Sequence, residues 1–181
     1  AILLLFVVAA FAAVAQTSDC QTLLSAPRTE LNLPKGAKGY TVERVNLFSS
    51  PQTISVIKYS PKRLTSSIVL PEKLTPLSKV AAGASADFGV NAGYWDVSIS
   101  LPSTFLKIDG KRIAVTADFE KERVDGVVCL DGKRVVIDYC KAGEESPYDS
   151  KFDNILASGP VLIDEGKSVD HEAYTKSLKQ A

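Results

Sequence analysis

Asp-Gly turns leave the chain from Leu101 onward little choice but β-hairpins. TFLKIDGKRIAVT and VDGVVCLDGKRVVIDY each set Asp-Gly between β-prone runs, at Asp109–Gly110 and Asp131–Gly132, and VLIDEGKSV does nearly the same at Glu165–Gly166. A tight hairpin turn needs positive φ, which Asp-Gly adopts more readily than almost any other pair. The shared DGKR is a turn repeat, too sparse and uneven for a solenoid, and it lacks the glycine spacing of a phosphate loop.

The earlier half adds strands and one helix. GYTVERVNLF and QTISVIKYS have the β-branched alternation of paired strands, with SSP as the turn between them, and SSIVL reads as a third run ending at Pro71. Thr75 to Gly83 has helix punctuation: Thr75 to cap, Pro76 at the first position, Gly83 to stop. Leu77, Val80, Ala81 and Ala84 share one narrow face suited to packing on a sheet. The predicted fold is therefore α+β, a mostly antiparallel, hairpin-built sheet with a short helix packed on it.

Residues 1–15, AILLLFVVAAFAAVA, are unbroken apolar sequence, shorter than the ~20 residues of a spanning helix and closed by the small-x-small triplet Ala13, Val14, Ala15. They read as a secretory signal cleaved before Gln16, with a buried core helix or retained anchor as the alternative, and the expected location is secreted or periplasmic. Thr17, Ser18 and Asp19 do not make a lipobox for Cys20. The run lacks a basic n-region and the sequence has no methionine, so a clipped N-terminus is expected. Residues 16–38, broken by Pro27, Pro34 and Gly36, read as a linker or N-terminal arm.

Lys and Arg together number 21 and so do Asp and Glu, giving zero formal charge; this offers no basic surface for nucleic acid or anionic membrane. The three cysteines permit at most one internal disulfide. With Asp131–Gly132 as the turn, Cys129 faces Arg134 and Cys140 lies beyond bridging reach. Free buried thiols or a bridge from Cys20 follow. No Cys or His cluster has zinc spacing, and Asp109, Asp131, Asp149 and Asp153 fit turns better than calcium, so no metal or cofactor is expected. His171, the single histidine, lies in a tail of helical composition (Asp170 to Ala181) with no serine at triad spacing.

Chemistry concentrates in ADFGVNAGYWD, Ala86 to Asp96. Phe88 and Val90 begin an apolar β run, and Asn91 and Gly93 then interrupt it. Asparagine is depleted from strand interiors and glycine weakens them, so a bulge or turn, or close access to the main chain, is required there. Asn91 offers amide donors and an acceptor, Asp96 a carboxylate, and Tyr94 and Trp95 either a stacking platform for a sugar or a buried aromatic pair. Ser158, Gly159 and Pro160 form a second candidate surface, where glycine lets backbone amides approach an anion or simply opens a strand. The loop KAGEESPYDSKFD, 141–153, is long enough to be functional or disordered.

VNAGYWD resembles the first signature of the phosphodiester glycosidase family: hydrophobic, Asn, Gly, Gly, Tyr or Phe, Phe, Asp. Ala92 and Trp95 depart from it. The small-residue helix before it, the DGK hairpin after it and NILASGPVLIDEGK, similar to the family's Gly-Gly-Pro block before another DGK turn, follow in the family's order. The resemblance spans roughly residues 40 to 170. It implies a secreted hydrolase that cleaves a sugar phosphodiester of the N-acetylglucosamine-1-phosphodiester type in glycans or exopolysaccharide. Asp96 and Asn91 would be catalytic, and Gly93, Tyr94, Trp95, Ser158, Gly159 and Pro160 would bind substrate. Such cleavage builds oxocarbenium character, which calls for a carboxyl group, while the phosphate calls for cations or amides. The family's later Arg-Thr-Ala-x-Gly and Asn-Leu-Asp-Gly-Gly-Gly-Ser motifs do not occur here, so a fragment is expected, in which residues 16–181 alone show no turnover. The rival reading is a non-catalytic secreted module that binds glycan or protein through Tyr94, Trp95 and the 141–153 loop.

Overall fold

The computed structural model describes residues 19–169; the signal, its cleavage site and the His171 tail lie outside the described residues. The chain forms the expected α+β architecture of antiparallel sheets and short helices, divided into two compact units at Ser60 and Pro61. Among the described residues no helix is long and apolar enough to cross a membrane.

The first unit is a long hairpin with a short cover. Strands β2 (Ala37–Leu47) and β3 (Ser50–Tyr59) pair antiparallel, and β1 (Thr29–Glu30) joins β2 with Thr29 opposite Thr41. Val42, Val45 and Leu47 are buried together, with a bulge between Val42 and Val45 where the β2–β3 register shifts, and Leu23 of the helical segment 19–25 (α1) and Ala26 just after it pack on them. Much of the 16–38 arm is thus folded structure rather than spacer. The turn is not SSP: Phe48 and Ser49 take it with φ of 53° and 61°, and Pro51 sits in β3 opposite Asn46. An edge strand tolerates that proline because its missing N–H would face no partner.

The second unit is built around β10 (Asn154–Ser158), whose Ile155, Leu156 and Ala157 are all buried. β10 lies between two hairpins, β6 (Leu106–Ile108) with β7 (Lys111–Ala114) and β8 (Gly126–Asp131) with β9 (Arg134–Tyr139), in the order β7-β6-β10-β8-β9. Phe105, Val124, Val127, Cys129, Cys140 and Phe152 complete the core around it. Asp109–Gly110 and Glu165–Gly166 form the expected turns, with positive φ at both positions. The middle turn slips: Asp131 stays in β8 opposite Arg134, to which it is ion-paired at 3.1 Å, so Cys129 faces Val136. Slippage by an even number of residues keeps every side chain on its own face, which is why the hydrophobic alternation could not reveal it.

Three local expectations change. SSIVL has no strand. The helix α2 (Leu77–Gly83) forms, but Pro76 is its N-cap, Thr75 Oγ1 donates to Lys73 O instead, and no residue of the helix is buried. Ala-rich spacing supplied helical phasing without enough apolar surface to bury. The Phe88–Val90 run is not strand, and strand begins only at β4 (Trp95–Asp96), which pairs with β5 (Leu101–Pro102).

Cys20, Cys129 and Cys140 are all free, the last two buried. Cys140 N–H donates to Asp125 O, four residues before Cys129 along β8. That is roughly 13 Å of strand, beyond the ~7 Å that a disulfide spans. Burial pushes both thiols up to about 11 from an ordinary 9.0. A thiol reagent at neutral pH should label Cys20 in the native protein, and Cys129 and Cys140 only after denaturant is added. Unfolded thiols ionise near 9.0 and native ones near 11, so stability is full below the first value and is lost as pH rises toward the second. Denaturation midpoints that stay level across that interval would contradict this.

Candidate functional site

The two sequence blocks singled out for chemistry meet. Tyr94 Oη–H donates to the Gly159 carbonyl at 2.6 Å, across 65 positions of sequence. β10 delivers Gly159: Ser158 pairs with Gly126 at the end of the central strand, and the chain then turns through Gly159 and Pro160 beside Asp125. Tyr94 is delivered by the β4–β5 pairing, since Trp95 faces Pro102 and Ser103 N–H donates to Tyr94 O at 3.0 Å.

Both glycines are required by close packing within the protein. Gly93 has φ +69°, and a Cβ there would lie 2.9 Å from Leu156 Cδ1 and 3.2 Å from Thr104 Oγ1. A Cβ on Gly159 would lie 2.1 Å from Arg123 O and 2.8 Å from Asp125 Oδ1. The amide expected to receive an anion is already engaged, because Val161 N–H donates to Asp125 Oδ1 at 2.8 Å. Pro160 offers no N–H, so the main chain here is held by an internal carboxylate.

Asn91 is exposed, just after the Phe88–Val90 run. Asp96 is partly exposed and closes its own turn: Oδ1 accepts Ser98 Oγ–H at 2.6 Å and Ser98 N–H at 2.8 Å. The Ser98 hydroxyl, then its amide, holds the Asp96 carboxyl below the ordinary 3.8. Such a carboxylate suits a base, a nucleophile or charge stabilisation, and it is a poor proton donor. Tyr94 and Trp95 are half-buried; Tyr94 packs on the core and Trp95 Nε1 is buried without a hydrogen-bond partner. Ser158, Gly159 and Pro160 are half-buried together.

Sequence reasoning missed the residues that connect these blocks. Glu120, in the 3₁₀ helix Asp118–Arg123, is only 6% exposed; its Oε1 accepts Ser103 Oγ–H at 3.2 Å, and its Oε2 has no hydrogen bond. Arg123 Nη1 lies 3.8 Å from Oε2. Thr104 Oγ1 is buried and unpartnered as well. ADFEKER carries charge at nearly every position, so no alternation marks Glu120 as the one turned inward.

The 141–153 loop is ordered. Glu145 is buried and accepts Gly143 N–H, α3 (Ser146–Asp149) follows, and Asp149 takes the buried Lys107 ammonium at 3.0 Å and the Arg112 guanidinium. Asp149 is thus an ion-pair anchor, while Asp109 is the turn residue expected. The loop walls a cavity of about 320 Å³ with Phe105, Arg112 and Lys121.

No protein-family model matches the chain, and no curated protein matches it.

Two substitutions separate hydrogen bond from packing at this junction. Tyr94→Phe should cost about 1 kcal/mol in chemical denaturation, the usual net worth of one hydrogen bond. Gly159→Ala should cost more, because its Cβ must displace the Arg123 main chain. A neutral Gly159→Ala would contradict the packing described.

Proposed function

We propose that this protein is a secreted hydrolase of the phosphodiester glycosidase type, acting on an N-acetylglucosamine-1-phosphodiester linkage in a glycan or exopolysaccharide. One observation carries the reading: the Asn-Ala-Gly-Tyr-Trp-Asp block and the Ser-Gly-Pro block, far apart in sequence, are joined by Tyr94 and Gly159. On this reading Asp96, held ionised by Ser98, stabilises the developing oxocarbenium charge or activates the nucleophile, and exposed Asn91 addresses sugar hydroxyls.

A second reading draws support from the cavity. At about 320 Å³, walled by Gly143, Glu145, Ser146 and Asp149, it lies within the size range of small-ligand pockets, as a non-catalytic glycan-binding module would need. In that case titrated neutral glycan shifts the amides of 143–149 together with those of Tyr94 and Trp95, and no sugar phosphodiester is turned over.

The test is release of N-acetylglucosamine from UDP-N-acetylglucosamine by the protein expressed from its complete reading frame. Turnover is expected, with Asn91→Ala and Asp96→Asn each losing about 10² in rate. Because Asp96 must stay ionised, the rate should hold through neutral pH and fall only as pH drops below 3.8. No release, or release untouched by both substitutions, overturns the reading.

A further inference from the structure

The cavity beside the 141–153 loop takes no part in the proposed hydrolysis, yet its wall carries charges that the protein does not balance by itself. Glu145 lines it and is only 6% exposed. Its Oε1 accepts Gly143 N–H at 3.0 Å, and Gly143 lines the cavity too, so the carboxylate stands at the wall. Among the described residues no hydrogen bond reaches its Oε2 and no lysine or arginine is ion-paired with it. A buried carboxylate held by one amide is costly, because lost hydration is offset only where a cation or further donors complete it.

The complementary surplus lies elsewhere on the same wall. Asp149 holds two cations, the buried Lys107 ammonium at 3.0 Å and the Arg112 guanidinium. One carboxylate against two cations leaves a positive charge over. It falls on Arg112, since Lys107 is buried and also donates to the Asp149 carbonyl at 2.6 Å. The guanidinium is at the cavity: its central carbon lies 5.4 Å from the centre of the Phe105 ring, and Phe105, Arg112 and Asp149 all line the wall. The Arg112 side chain is about half exposed and meets Asp149 through Nη2, which leaves the other donors of the fork for a ligand. Lys121, also on the wall, is paired with Asp118 at 2.7 Å.

We propose that this cavity binds a small zwitterion, a free α-amino acid with an apolar side chain, whose ammonium is taken by Glu145 and whose carboxylate is taken by Arg112. A guanidinium fork matches a carboxylate through two parallel hydrogen bonds, and an ammonium brings the charge and donors that Glu145 lacks. Phe105 and Val115 supply apolar wall for the side chain. A volume of about 320 Å³ stands at the small end of ligand pockets and suits a ligand of this size. A neutral sugar would leave the Glu145 charge uncompensated, and a phosphate would set a further anion against Glu145 and Asp149. Amino-acid binding here requires nothing of the hydrolysis proposed above.

The test is an NMR titration of the full chain, read at the Gly143 and Ser146 amides, with leucine, with its deaminated analogue isocaproate, with its decarboxylated analogue isopentylamine and with neutral N-acetylglucosamine. Leucine should move both signals to saturation, each analogue should bind about tenfold or more weakly than leucine, and the sugar should leave the signals in place. Glu145→Gln should weaken leucine and isopentylamine about tenfold while sparing isocaproate, and Arg112→Gln should weaken leucine and isocaproate while sparing isopentylamine. Because Arg112 is about half exposed, its variant keeps the test open even if Glu145→Gln fails to fold. Signals that leucine does not move, isocaproate binding as tightly as leucine, or wild-type leucine binding in Arg112→Gln overturns the proposal. N-acetylglucosamine moving the two amides at lower concentration than leucine also overturns it and gives the cavity to glycan.

Discussion

A phenolic hydroxyl donating to a main-chain carbonyl at 2.6 Å joins the two candidate blocks of the second unit. The carbonyl is fixed because it follows directly on the buried central strand β10, and the phenol is fixed because its neighbours pair with Pro102 and Ser103. Glycine is needed on both sides of this junction for the same reason: Leu156 and Thr104 fill the space at Gly93, and the Arg123 main chain fills it at Gly159. A side chain at Gly159 would meet the Arg123 main chain, and one at Gly93 would be strained by its φ of +69°. The meeting of the two blocks therefore rests on packing at two glycines and one tyrosine.

Electrostatics around the junction is unevenly satisfied. Asp125 and Asp96 each accept hydrogen bonds from nearby N–H or O–H groups, and Asp149 holds two cations at the far side of the sheet. Glu120 Oε2, Thr104 Oγ1 and Trp95 Nε1 do not have partners, although buried polar atoms in folded proteins almost always do. All three flank the same short stretch, Tyr94 to Trp95 against Pro102 to Thr104 and the 3₁₀ helix.

Much of the second unit was legible in the sequence because its signals are local. Asp109–Gly110 and Glu165–Gly166 fixed two turns at the expected residues, and β-branched runs between them gave strands. Signals that depend on distant partners failed. The pairing slips at Asp131, which faces Arg134, and hydrophobic alternation is blind to a shift that preserves faces. Phe88 and Val90 had strand composition but do not form strand, and α2 had helical phasing but buries none of its residues. Glu120 was invisible because burial of a charge depends on what folds over it. The candidate blocks themselves were found, yet Arg123, Ser103 and Glu120, which tie them together, stand in stretches that read as ordinary surface.

The contact between Tyr94 and Gly159 can be observed directly through the exchange rate of the Tyr94 hydroxyl proton in solution, with its cross-relaxation to the Gly159 α-protons. A proton donated to the Gly159 carbonyl inside a half-buried site should exchange slowly enough to be seen and should show that cross-peak. A hydroxyl in fast exchange with water, with no magnetisation transfer to Gly159, would mean that the two blocks are not joined and would remove the basis for the site.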